Sequence, residues 1–146
     1  MILAIDLGTT ATKVSFVSAE MAVLASSQRR IQTYTAPGGV SEQESSDWLE
    51  AVRACVADLH QQHPALAQSV AAIAVTGHML GCLPVDATGQ PLSRHLLHGD
   101  TRSRKQAEAI DQILGAGQLY ALTGNRAGPS TLAKMLWFME EQPAVY

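Results

Sequence analysis

The stretch Asp6-Leu7-Gly8-Thr9-Thr10-Ala11-Thr12-Lys13 concentrates residue types that can hold a polyphosphate. An aspartate closing a strand offers hard oxygen ligands to Mg²⁺, directly or through water. Gly8 lets the backbone bend sharply and approach a phosphate with no Cβ in the way. Thr9 and Thr10 supply backbone N–H donors and hydroxyls to phosphate oxygens. Lys13 can place positive charge where a transferring phosphoryl group gathers negative charge. The same residues also suit a polar hairpin turn that satisfies its own backbone. Neither G-x-x-x-x-G-K-[ST] nor G-x-G-x-x-G after a strand occurs, which disfavours the P-loop and dinucleotide folds.

The elements that must position this turn are legible in the hydrophobic pattern. Ile2 to Ile5 is an unbroken apolar run, as expected of a central strand covered on both faces. Thr12 to Ser18 alternates Val14 and Phe16 against Lys13 and Ser15, a strand with one polar face. An extended segment from Val23 to Ile31 completes a three-stranded antiparallel meander, and Pro37-Gly38-Gly39 marks a loop. Asp47 with Glu50 has the form of a capping box. It opens a helix with Leu49, Val52, Val56 and Leu59 inward, ending before Pro64. Ser69 to Thr76 reads as a second buried strand ended by Gly77, and Cys82 to Leu92 as a hairpin turning at Ala87-Thr88-Gly89. A helix from Thr101 to Leu114 turns Ala107, Ile110 and Leu114 inward. Another begins near Ser130 with Leu132, Met135, Leu136 and Met139 on one stripe, and Gly124 to Pro129 separates the two. The expected fold class is α/β with a mixed sheet.

Composition narrows the class. The 146 residues are 47% apolar and 16% charged, which implies a packed core rather than a disordered chain. Thirteen acids against ten bases leave a net charge of −3, and no basic run exceeds Arg29-Arg30. That gives no electrostatic footprint for nucleic acid or an anionic membrane surface. No apolar stretch reaches the length of a membrane span, and the N-terminus lacks the pattern of a signal peptide. Cys55 and Cys82 have no Cys or His partner at metal-ligand spacing. A cytoplasmic location is expected.

Five stretches, in order, carry a family resemblance. Ile5-Asp6-Leu7-Gly8-Thr9-Thr10 resembles the first phosphate motif of the actin-like ATPase superfamily, which includes sugar kinases, chaperone ATPases and actin. Glu42-Gln43-Glu44 leading to Asp47-Trp48 resembles the E-Q-x-P-x-x-W segment of the FGGY carbohydrate kinases, with Ser45 where proline is common. Val75-Thr76-Gly77-His78-Met79-Leu80-Gly81, then Val85-Asp86 and Gly89-Gln90-Pro91-Leu92, is similar to their T-G-Q-M-H-G strand and hairpin. Leu97 to Arg102 resembles W-x-D-x-R, with His98 and Gly99 departing from it. Gly124-Asn125 with Pro129, and Lys134-Met135-Leu136-Trp137, resemble G-N-x-x-x-P and P-K-x-x-W. The matches span residues 2–146 and are xylulokinase-like in kind.

The resemblance implies an actin-like, ribonuclease-H-like domain, with residues 1–146 the amino-terminal portion of the first of two domains that close over a cleft. It implies transfer of the ATP γ-phosphate to a hydroxyl of a small ketose or polyol, with Mg²⁺ and ATP as cofactor and co-substrate. Asp6 would serve the metal, Gly8, Thr9 and Thr10 the phosphates, and Lys13 the transferred group. His78, Met79 and Asp100 would hold the sugar. Each has a plainer rival: His78 as a structural histidine at a strand end, Met79 as packing, Asp100 as a helix cap. Trp48 and Trp137 read as core. Leu80 stands where xylulose kinases carry a sugar-binding His, which puts D-xylulose in question as the substrate. The general-base Asp and the adenine site are expected beyond Tyr146, so the 146-residue chain is expected to have no turnover alone. Apolar surface left open would favour a homo-oligomer or the remainder of its own chain. The alternatives are a non-catalytic actin-like nucleotide-binding module, and an α/β domain that binds partners through the Ser130–Glu141 helix.

Overall fold

In chain order the strands are β1 (Ile2–Leu7), β2 (Ala11–Val17), β3 (Val23–Arg30), β4 (Tyr34–Ala36), β5 (Val40–Gln43), β6 (Ala72–Thr76) and β7 (His95–Leu96). The helices are α1 (Ser45–Gln62), α2 (Pro64–Gln68), α3 (Arg104–Leu114), α4 (Ala116–Thr123) and α5 (Thr131–Glu141). The computed structural model describes residues 1–125, 128 and 130–146. It divides into two units, Met1–Thr33 with Glu44–His78 and Tyr34–Gln43 with Met79–Tyr146. No helix among the described residues is long and apolar enough to cross a membrane.

The first unit is a four-stranded mixed sheet in the order β3-β2-β1-β6. β1, β2 and β3 form the expected antiparallel meander, and β6 joins β1 in parallel. Because side chains alternate along a strand, register decides which residues share a face. Lys13, Asp6 and Thr76 fall in one cross-strand row, with Ser15, Ala4 and Ala74 in the next row on that face. On the opposite face Leu3, Val14 and Phe16 pack with Cys55 and Leu59 of α1 as the core. Full burial of side chains of this size contributes about 1.5–3 kcal/mol each. The helix is also tied to β3, where Ser27 Oγ and Arg29 Nη2 both donate to the Asp58 carboxylate.

Three expectations for this unit need correction. Asp47 does not cap α1; the cap position is Glu44, with no side-chain cap bond, and Asp47 lies in the first turn, where its charge favours the positive helix end. The buried stripe of α1 is Ala51, Cys55 and, as expected, Leu59, with Val56 packed against that core, whereas Leu49 is 60% exposed. The third correction concerns β6. Its residues are all exposed, Ile73 and Val75 at 65% each. The apolar run specifies a strand, but burial depends on place in the sheet, and β6 takes the edge beside β1. The stop before Pro64 holds, with Pro64 opening α2.

The second unit carries a small sheet, β4-β5-β7, with Pro37-Gly38-Gly39 turning between β4 and β5. Its core joins Ala107 and Ile110 of α3 to Ala133 of α5. The hairpin between Cys82 and Leu92 exists as a Val85–Pro91 bridge around a loop in which Asp86 accepts from Thr88 N, Thr88 Oγ1 and Gln90 N. α3 begins at Arg104 rather than Thr101, behind Ser103, and Leu114 faces outward. α5 is capped by Ser130, whose side chain accepts from Ala133 N. It buries Ala133, Lys134 and Phe138, while Leu132, Met135 and Met139 are exposed. The expected stripe followed hydropathy, but the observed one follows a buried lysine. Pro129 lies outside the described residues.

Candidate functional site

Two parallel strands, β1 and β6, end together, and the chemistry-bearing residues of the first unit gather there. Asp6 is paired in register with Thr76 on one side and Lys13 on the other. Both charged side chains are exposed, and among the described residues no hydrogen bond or ion pair engages the Asp6 carboxylate or the Lys13 ammonium. They border a shallow cleft of about 200 Å³ lined by Ala4, Ser15, Ala74 and Thr76 among others. Beyond the row, Gly8, Thr9 and Thr10 connect β1 to β2. A Cβ on Gly8 would stand 2.8 Å from the Ala11 carbonyl oxygen, so a turn this tight requires glycine. The Thr10 carbonyl accepts from Ile31 N at 3.0 Å, which ties the turn to the end of β3. Gly8 and Thr9 are half-buried and Thr10 is exposed.

His78 follows β6 by two residues, beyond Gly77, whose ideal Cβ position lies 3.7 Å from the Leu7 Cβ. The half-buried His78 ring meets Trp48 edge to face, with centroids 5.2 Å apart and planes at 85°. Trp48, expected as core, is thus a half-buried wall beside the histidine. The hydrophobic pattern carried no sign of this pairing, since it joins residues thirty positions apart.

In the second unit Met79 is 76% exposed. Asp100 is fully buried. Its Oδ2 accepts from Ser41 N at 2.9 Å and Arg102 Nη2 at 2.7 Å, and its Oδ1 accepts from Arg102 N at 3.1 Å, while Arg102 Nε reaches both oxygens. Arg102 also donates to Glu42 and lies over the Trp137 ring at 4.6 Å. Burial would lower the Arg102 pKa, but hydrogen bonds to Asp100 and Glu42 outweigh it and hold it above the ordinary value. The cap of α3 is Ser103, so Asp100 serves an internal ion-pair network rather than a helix end.

Lys134 stands out in the sequence only within a motif, yet among the described residues it is the largest fully buried side chain. Its ammonium donates to the Leu80 carbonyl at 3.0 Å. Burial pulls its pKa down, partly offset by the negative charge of Asp100. Leu80 itself has φ of 58°, in the left-handed region that non-glycine residues rarely enter.

The whole chain, residues 1–146, matches the N-terminal domain of the FGGY family of carbohydrate kinases. It is 33% identical to a xylulose kinase of Staphylococcus epidermidis over 100% of this chain and 29% of that protein. It is 28% identical to a gluconokinase of Bacillus licheniformis over 98% of this chain and 28% of that protein. Among solved structures it is similar to a xyloylose kinase from Brucella ovis, with a TM-score of 0.91, 26% identity, and coverage of 98% of this chain and 30% of that one. The chain therefore spans about 29% of the length of the curated relatives it matches. The fold is that of the actin-like ATPases, with a mixed sheet and flanking helices. With a family match along the entire sequence, on a fold shared with solved sugar kinases, this chain belongs to the FGGY family of carbohydrate kinases.

Proposed function

We propose that the protein carrying this chain transfers the γ-phosphate of ATP to a hydroxyl of a small ketose, polyol or sugar acid, and that residues 1–146 form the amino-terminal portion of its first domain. One observation carries the reading: the parallel pairing of β1 with β6 brings the Gly8–Thr10 turn and His78 to the same carboxyl end of one sheet. In open α/β sheets ligands bind beyond the carboxyl ends of the strands.

The N–H groups and hydroxyls of Gly8, Thr9 and Thr10 hold the phosphates. Lys13 counters the charge that gathers on the transferring group, an electrostatic role that suits phosphoryl transfer. A lone exposed carboxylate at Asp6 matches the needs of Mg²⁺, which keeps several waters and binds through one or two carboxylates plus phosphates. When bound, that ion neutralises phosphate charge. On the sugar side, His78 hydrogen-bonds a hydroxyl, held in orientation by Trp48, and Met79 lines an apolar face. Asp100 acts at one remove: with its oxygens occupied, it fixes the loop through Ser41 and Arg102. The chain spans about 29% of the length of its curated relatives, and turnover is proposed of the full-length protein.

Coupled measurement of ADP release by the full-length protein, screened against ketopentoses, polyols and aldonic acids, tests the proposal. Release that depends on one of these classes and disappears with Asp6→Ala is expected. Release independent of every acceptor, or unchanged by Asp6→Ala, contradicts it.

A further inference from the structure

The strained backbone at Leu80 and the buried ammonium of Lys134 are two unusual features, and they meet. A leucine at φ 58° persists only where its surroundings over-determine it. A lysine with no exposed surface is equally uncommon, because burying an ammonium is costly unless it is well paired. Lys134 Nζ donates to the carbonyl of Leu80 at 3.0 Å, and one turn earlier on α5 Thr131 Oγ1 donates to the carbonyl of Gly81 at 3.1 Å. Two consecutive carbonyls are thus held by the first turns of one helix.

The far side of the segment is fixed as well. Cys82 and Leu96 exchange backbone hydrogen bonds at 3.0 and 2.8 Å. Gly81 admits the His95 ring into the space a side chain would fill, since a Cβ there would lie 2.2 Å from His95 Cε1. Residues 80–82 are gripped from both sides, while the adjoining Met79 is 76% exposed. A hydrophobic side chain at position 134 would fill the volume without the cost of desolvating a charge, but it could not hold the Leu80 carbonyl.

We infer that Lys134, with Thr131, is a positioning residue: it straps the Leu80–Gly81 backbone to α5 in its strained form and thereby sets the direction in which Met79 meets the sugar. This rests on the proposal that Met79 lines the sugar site. The strap makes sugar affinity and sugar discrimination depend on a helix that does not itself touch substrate. Strain and strap are coupled, so removing the strain should remove the need for the strap.

The test uses the full-length protein with Lys134→Met, Thr131→Val and Leu80→Gly, alone and combined, and Met79→Ala as reference. Lys134→Met is expected to raise the sugar KM by roughly tenfold, with the ATP KM within about twofold, and its crystal structure to show Leu80 relaxed to negative φ. Thr131→Val, at an exposed position, is expected to give a change of about threefold in the same direction, which keeps the test available should Lys134→Met fail to fold. Adding Leu80→Gly, which enters positive φ freely, should restore most of the lost affinity in either background. Leu80 held at positive φ without the lysine overturns the strap. So do equal effects on both KM values with no rescue by glycine. If Met79→Ala raises the sugar KM but Lys134→Met and Thr131→Val do not, the strap fails and the sugar site stands. If Met79→Ala has no effect on the sugar KM, the site reading itself has failed, and the inference falls with it.

Discussion

Asp6 and Asp100 are both aspartates in stretches that resemble family motifs, and the fold treats them in opposite ways. Asp6 sits in an open cross-strand row with Lys13 and Thr76, exposed and with its carboxylate unengaged among the described residues. Asp100 has no exposed surface and accepts from Ser41 N and from three nitrogens of Arg102. A carboxylate that folding leaves in water retains its full capacity for a metal or a donor. One whose lone pairs are satisfied internally has committed that capacity to structure, and exposing it would forfeit charge-assisted hydrogen bonds. The contrast supports the proposed division, in which Asp6 serves chemistry and Asp100 the internal ion-pair network.

The sharpest way to break this contrast is to remove each carboxylate system and ask what is lost. Asp6→Ala in the full-length protein should lower kcat on the order of 10³-fold. Its unfolding free energy should change by less than about 0.5 kcal/mol, as for an exposed residue without partners. Kinetics beside urea denaturation check both halves, and comparable losses in each would erase the distinction. Arg102→Met should do the reverse, costing about 3 kcal/mol of stability by leaving Asp100 buried and unpaired. The double change Asp100→Leu with Arg102→Met should be less damaging than Arg102→Met alone. A single change as mild as an ordinary surface substitution would show the network to be ornamental.

The two backbones can be compared in the same way. Gly8→Ala puts a Cβ 2.8 Å from the Ala11 oxygen, whereas at Gly99, beside Asp100, the nearest atom is Ser41 Oγ at 3.9 Å. The first should raise the ATP KM about tenfold and the second should leave it unmoved, since only the first turn is proposed to hold phosphate. Equal effects would remove the reason for placing ATP at the first turn. The smallest effect concerns acid. Hydrogen bonds from Ser27 and Arg29 hold the Asp58 carboxyl below the usual range, and Thr88 with the Gln90 amide does so for Asp86. Their stabilisation is complete above the ordinary carboxylate pKa and is lost as pH falls through the lowered folded values. Stability should therefore decline only below about pH 4 on their account. A shallower acid limb for Asp58→Asn in pH-dependent urea denaturation checks this.

Much of the first unit was legible because its signals are local. The apolar run of β1, the alternation of Val14 and Phe16, Gly8 in its tight turn and the stop at Pro64 each depend on near neighbours. The exposure of β6 was not legible, since an apolar run specifies a strand without specifying whether both of its sides are covered. The inward face of α5 departs from the hydropathy stripe for a related reason: hydropathy ranks Lys134 last for burial, and its bond to the Leu80 carbonyl, fifty-four positions away, is a long-range contact that spacing does not show. The same holds for Asp100, whose satisfaction by Ser41 across fifty-nine positions no spacing rule can show.

The proposed function requires the β1–β2 turn and Asp6 to receive a metal-bound triphosphate. Mn²⁺ binding to the full-length protein, followed by water proton relaxation with and without ATP, tests this most directly. Tight Mn²⁺ binding that requires ATP and weakens about tenfold or more in Asp6→Asn is the expected result. Mn²⁺ bound equally well by both proteins, with ATP present, would contradict it.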